Sequence, residues 1–125
     1  MKEFLILIYK QDEAIAPLVP EKDIAFLKAC ESYIETLKKG GNLKSAQPIQ
    51  RNGKVISGSK GNLKVESLSQ SKRVNGGYYH IMAKDMDDAV AIAKQNPEFE
   101  YGTNVSLEVH TIKGEEASTG YVYPK

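Results

Sequence analysis

Charge of one sign is what this chain most plainly lacks. Seventeen basic side chains stand against sixteen acidic ones, a formal net charge of +1 over 125 residues, so no field exists to hold a polyanion or an acidic lipid surface. The balance disfavours nucleic acid and membrane, so neither is expected as a partner. Long hydrophobic runs are also missing. The longest, Phe4 to Tyr9, is far too short to span a bilayer, and the amino terminus lacks the basic region and longer apolar core of a signal peptide. A cytoplasmic location is the resulting expectation. The single cysteine, Cys30, rules out an internal disulfide and a cysteine-based metal cluster, as suits a reducing compartment. Histidine is nearly as scarce, with only His80 and His110. Neither sits in a local metal spacing such as HExxH, and no nucleotide, haem or redox-cofactor motif appears, so neither a metal nor a cofactor is expected. No Ser-His-Asp or Cys-His arrangement can be argued from spacing.

What the chain does have is organised around Gly76 to Pro97, GGYYHIMAKDMDDAVAIAKQNP. Gly76-Gly77 marks a turn or bulge, and Tyr78 to Ala83 is aromatic and β-prone, as in a strand with both faces covered. Asp85 stands at the N-cap position of a helix, with Asp87 and Asp88 in its first turn at the positive end of the dipole. Met86, Ala89, Val90, Ile92 and Ala93 recur at helical spacing, and Asn96-Pro97 stops the helix.

The 41% hydrophobic content suffices for one domain with a real core. Lys2 to Tyr9 is apolar at every position from Phe4 onward, which predicts a central strand buried on both faces. Gln11 to Val19 has no periodicity. A helix over 20–39 follows, with Pro20 in its first turn and a stripe of Ile24, Leu27, Cys30, Ile34 and Leu37, widened by Phe26 and Tyr33. Cys30 reads as core, since nothing supplies the electropositive, exposed setting of a reactive thiol. After Gly40-Gly41, Asn42 to Ile49 is a strand placed at an edge by Pro48. The turns Asn52-Gly53 and Lys60-Gly61-Asn62 around Val55-Ile56 predict a hairpin that Leu63 to Leu68 continues. Gly58-Ser59-Lys60-Gly61 lacks the GxxxxGK[ST] spacing of a phosphate loop and reads as a solvated turn. Ser69 to Asn75 is a polar loop, Lys72-Arg73 a solvated pair, and Tyr101-Gly102 turns the chain back. Asn104 to Ile112 alternates, with Val105, Leu107 and Val109 on one face and Ser106, Glu108 and His110 on the other. Residues 113–125 form a polar tail in which Tyr121 to Tyr123 packs or pairs with a neighbour.

The order β-α-β, hairpin, β-α-β is the split βαβ pattern of a ferredoxin-like α+β domain with an antiparallel sheet, covering about residues 2–112 of a single-domain chain. Both helices are expected on one side of that sheet. The opening KEFLILIY, the helix ending LKKGGNL, the Pro-containing strand, the GGYYHIMAKDMDDAVAIAKQNP stretch and the closing VSLEVHTI together resemble the YCII-related family, in particular its DGPF-containing branch. The resemblance implies a dimeric α/β barrel, in which two such sheets face each other across a homodimer and leave a cleft between them. Where that branch carries DGPF, this chain reads VESLSQSKR. The YCII-proper members resemble enzymes with a His-Asp pair whose histidine lies in the first helix; here no histidine precedes His80. No catalytic residue is carried over.

A homodimer is also expected from the residues themselves, because two amphipathic helices can cover only one face of Phe4 to Tyr9 and soluble monomers rarely leave a large apolar patch open. In such a cleft, Tyr78 and His80 on one strand and Ser106, Glu108 and His110 on another are the candidate ligand-binding residues. If their faces coincide, the group suffices for proton transfer at neutral pH, with His80 or His110 as general base and Glu108 orienting it. The plain alternative is that these polar groups only hydrogen-bond one another or water. Two functions remain open: a small-molecule binding or accessory module, and a cofactor-independent enzyme.

Overall fold

Strand β1 (Lys2–Gln11) shows the division on which the fold is built. Phe4, Ile6 and Ile8 are buried on one side, while Glu3, Leu5, Leu7 and Tyr9 on the other stay partly exposed. In the computed structural model, which describes residues 1–11, 20–68, 73–102 and 104–124, the elements after β1 run α1 (Pro20–Lys39), β2 (Leu43–Pro48), β3 (Lys54–Ser59), β4 (Asn62–Ser67), β5 (Arg73–Ala83), α2 (Met86–Lys94), α3 (Glu98–Tyr101), β6 (Val105–Thr111), β7 (Glu115–Glu116) and β8 (Tyr121–Val122). The aperiodic stretch after Gln11 and residues 69–72 of the expected polar loop, Lys72 included, lie outside the described residues.

The main sheet is antiparallel in the order β2-β5-β1-β6, a ferredoxin-like α+β arrangement with β1 at the centre and the proline-containing β2 at an edge. Pro48 has no N–H to donate, so an edge is where the ladder tolerates it. Among the described residues, strands β3 and β4 pair only with each other as a separate hairpin, closed at Lys60-Gly61. Gly58-Ser59-Lys60-Gly61 is thus the end of β3 and the hairpin turn that follows it.

Both long helices lie on the Phe4–Ile6–Ile8 side, since Tyr33 and Leu37 of α1 and Ala89 and Ala93 of α2 share one core with Tyr79, Ile81 and Ala83 of β5. Val105, Leu107 and Val109 of β6 pack against that core as their alternation predicts. The Tyr33 hydroxyl donates to the Ile92 carbonyl at 2.7 Å, and its ring meets Tyr79 edge-on at 5.6 Å. This fit rotates α1 relative to the stripe expected from sequence. Phe26, Cys30, Tyr33 and Leu37 follow the 3–4 spacing of the inward face, whereas Ile24 and Leu27 are more than half exposed. Cys30 is correspondingly half-buried.

α2 begins as its acidic start predicts. The Asp85 carboxylate accepts from the Asp88 N–H at 2.8 Å, and the Asp88 carboxylate reaches back to the Lys84 N–H at 2.9 Å, a reciprocal cap. β5 starts five residues before Tyr78. The glycine pair is a bulge inside it: Ile8 faces Gly77 and Tyr9 faces Asn75, leaving Gly76 as the extra residue. At Gly77, with φ +156°, a Cβ would stand 2.7 Å from the Gln47 carbonyl oxygen, so the close approach of β2 requires glycine.

Candidate functional site

The sheet face away from the helices collects the polar groups. His80 on β5 and His110 on β6 both pair with Leu5, one from each side. They therefore point to the same face, about 9–10 Å apart across two strand spacings. Glu3, diagonal to His80, places Oε1 3.0 Å from His80 Nε2, and Lys44 Nζ lies 3.8 Å from the same oxygen. Glu108 Oε1 stands 2.9 Å from His110 Nε2, while its Oε2 accepts from Arg73 at 2.8 Å. The Arg73 guanidinium in turn lies 3.5 Å over the Tyr9 ring. This stacking and ion pair give the polar start of β5 its place in the sheet. Hydrogen bonds from His110 and then Arg73 hold the Glu108 carboxyl below its ordinary range.

The two imidazoles differ in shelter. Side-chain exposure is 27% for His80 and 19% for Glu3, against 53% for His110 and 39% for Glu108. The first pair opens into a cavity of about 460 Å³, whose sheet-side lining is Glu3, Lys44, Ser45 and His80. Consecutive residues of a regular strand point to opposite faces. Lys44 and Ser45 reach one cavity because β2 bulges there: Leu43 pairs with Ile81 and Ser45 with His80, neighbours on β5, and Lys44 is the residue between. The remaining lining comes from the end of β6 and the tail, including Lys113 and Tyr123.

The faces of the two candidate strands thus coincide, but their residues divide into two groups. His80 lies in the cavity, Tyr78 shares its face opposite Leu7 and Gln47, and Ser106 pairs with Tyr9. His110 and Glu108 form their own cluster with Arg73, so Glu108 orients His110 and it is Glu3 that holds His80. Sequence reasoning missed Glu3, Lys44 and Tyr123. Glu3 had a signal, the parity that puts it on the face of Leu5 and Leu7; the expected pairing of Tyr121 to Tyr123 pointed to Tyr123 without placing it at the cavity, and the bulge that brings in Lys44 leaves no signal. Among the described residues, no group of three or more His, Cys, Asp or Glu side chains is placed to hold a metal ion. No described helix is long and apolar enough to cross a membrane.

The arrangement is competent for proton chemistry. With Nε2–H donated to Glu3, a neutral His80 keeps its lone pair on Nδ1, where it can accept a hydrogen bond or a proton. A second hollow, about 380 Å³, lies on the helix side between α1 and the β2–β5 edge, lined largely by apolar groups with Cys30 among them. There Lys10 Nζ pairs with Glu98 Oε1 at 3.2 Å. Burial, then the Glu98 charge, push the Cys30 thiol pKa up, which keeps it protonated and unreactive at neutral pH.

The sequence model of the YCII-related domain matches residues 2–113. No curated protein matches the chain. Among solved structures, it is similar to a 5-chloro-2-hydroxyhydroquinone dehydrochlorinase from Burkholderia phenoliruptrix AC1100, in complex with 2,5-dihydroxybenzoquinone. The two are 19% identical, with 83% of this chain and 90% of that one covered and a TM-score of 0.42.

Proposed function

Because the chain belongs to the YCII-related family, we propose that it is a small-molecule binding or accessory protein of that family, whose site is the cavity beside His80 and Glu3. One observation carries this reading: a carboxylate-held imidazole, 3.0 Å from its partner and mostly sheltered, opens into a hollow of about 460 Å³ together with an ammonium and a hydroxyl. Concave sites with a few convergent polar groups are where small ligands bind. Residues 1–125 act as one domain, and the protein works in the cytoplasm, where its lone thiol stays reduced.

In this reading two copies pack their open faces together as a homodimer, a dimeric α/β barrel with Leu5, Leu7 and Tyr78 at its centre. The partly exposed apolar side chains along β1 support it, and such an interface would bury on the order of 2,000 Å² or more. A monomer mass by sedimentation equilibrium at micromolar concentration would remove the barrel while leaving the cavity, which one protomer lines by itself.

A second reading, cofactor-independent catalysis with His80 as general base and Glu3 as the residue that orients it, is favoured by the 3.0 Å contact between them. The test of binding is a fragment screen followed by amide NMR shifts. The expected result is a set of compounds whose shifts cluster on Glu3, Ser45 and His80. Shifts confined to other surfaces, or none from any compound, would overturn the assignment.

A further inference from the structure

The family match ends at residue 113, yet the cavity beside His80 is walled on one side by residues that follow it. Gly114, Tyr123 and Pro124 all line it. They are held by a small structure of their own. Strand β7 pairs with β8, the Tyr123 N–H donates to the Gly114 carbonyl at 2.9 Å, and the Tyr123 hydroxyl donates to Glu116 Oε2 at 2.8 Å. Lys113 Nζ meets the same carboxylate oxygen at 2.7 Å, and the Tyr121 ring braces Tyr123 edge-on at 5.2 Å. The two bonds from Lys113 and Tyr123 hold the Glu116 carboxyl below its ordinary range. An aromatic ring is thereby fixed in the cavity wall before any ligand arrives, so little ordering entropy is lost on binding.

The charges on the lining point to a kind of ligand. Lys44 and Lys113 are both cationic, with side chains about half exposed or more, and Glu3 is the one carboxylate among the lining residues. Lys44 is only loosely engaged by Glu3, at 3.8 Å, so an incoming anion can share it. Ile112, Tyr123 and Pro124 supply an apolar wall suited to the face of a flat ring.

We propose, resting on the cavity being a ligand site, that residues 114–124 are the specificity wall of that site and that it selects small ring-bearing monocarboxylates. The carboxylate is taken by Lys44 and by the donors that Lys113 keeps beyond its bond to Glu116, and the ring packs on Tyr123. The tail is thus a part of the site that this chain adds to the family's domain.

The test uses the full chain and three probes: sodium benzoate, benzyl alcohol with the ring but no charge, and sodium acetate with the charge but no ring. Amide shifts report both place and affinity. Benzoate is expected to perturb Lys44, His80 and Tyr123 and to bind roughly tenfold more tightly than either other probe. Tyr123→Ala should weaken benzoate by roughly tenfold, while Tyr123→Phe, which keeps the ring and loses the bond to Glu116, should retain most of the affinity. Unchanged spectra elsewhere in the domain would show that the variants fold. Equal benzoate affinity in wild type and Tyr123→Ala would overturn the role of the tail, and equal affinity for benzyl alcohol would overturn the anion. No binding of benzoate to the wild type would also overturn this inference; the wider fragment screen alone decides whether the cavity binds anything.

Discussion

His80 and His110 stand opposite the same residue, Leu5, one from each neighbouring strand, and each keeps its own carboxylate. The arrangement is symmetrical in the ladder and unequal in its surroundings. One imidazole is turned into a hollow and the other is spread along an open surface beside Arg73. That inequality separates their contributions to binding. His80→Ala should weaken any ligand that donates a hydrogen bond to it in the cavity by roughly fivefold, the value of one hydrogen bond. His110→Ala should leave the same affinity within about twofold. Isothermal titration of both variants checks it, and a larger loss at His110 would move the site to the other cluster.

A second prediction concerns acid. The Glu108 carboxyl lies below its reference value of 4.5 because His110 and then Arg73 donate to its charged form. A lowered carboxyl contributes stability that is present above 4.5 and is lost as pH falls through the folded value. Carbon-detected NMR titration of the Glu108 carboxyl should give a midpoint under 4.5, moving upward in His110→Ala. A midpoint at or above 4.5 in the wild type would mean that the cluster does not form in solution.

At the alkaline end, the core tyrosines should resist ionisation. Burial pushes Tyr79 up to about 12, and Tyr33 is raised further, again chiefly by burial. Groups raised in the folded state contribute stability that is complete below the ordinary value of 10 and is lost as pH rises through the folded values. Ultraviolet titration of the seven tyrosines should leave at least two un-ionised until the fold opens. Smooth titration of all seven near pH 10 in folded protein would contradict the buried pair.

The cap of α2 gives the fourth prediction. Asp85→Ala removes the acceptor for the Asp88 N–H and should lower unfolding free energy by about 1 kcal/mol. Asp88→Ala removes the return bond to Lys84 as well as a first-turn carboxylate, and the double variant should cost less than the two single losses added, because the bonds belong to one cap. Urea denaturation measures all three, and an unchanged midpoint for Asp85→Ala would reject the cap.

Much of the fold was legible in the sequence because period is legible. The unbroken run from Phe4 marked a central strand, Pro48 an edge, and the alternation of Val105 to Val109 a face. The cap at Asp85 was visible in the order of its acids. Other features were hidden because they depend on contacts between distant residues. Ile24 and Leu27 fit the helical stripe of α1 as well as Phe26 and Tyr33 do; only the Tyr33 bond to Ile92 and its packing on Tyr79 decide which set faces inward. Polar Arg73 and Asn75 gave no strand signal, since their place in β5 depends on Tyr9, Glu108 and the bulge at Gly76. At the site, the shared face of His80 and His110 followed from alternation. Their separate carboxylates did not, because Glu3 lies 77 positions from His80 and meets it only through strand pairing.

Lys44 has one more consequence. Leu43 and Ser45 face adjacent residues of β5, so the ladder would close without a gap if Lys44 were deleted outright. Leu43 and Ala46 would keep their places against the core, and Ser45 would still face His80. The chain therefore carries at this point one residue more than its architecture requires, and the surplus residue is the one whose ammonium reaches the hollow. A single-codon deletion there would strip a charge from the cavity while leaving the pairing around it whole, a change that no substitution at a regular strand position could make so locally.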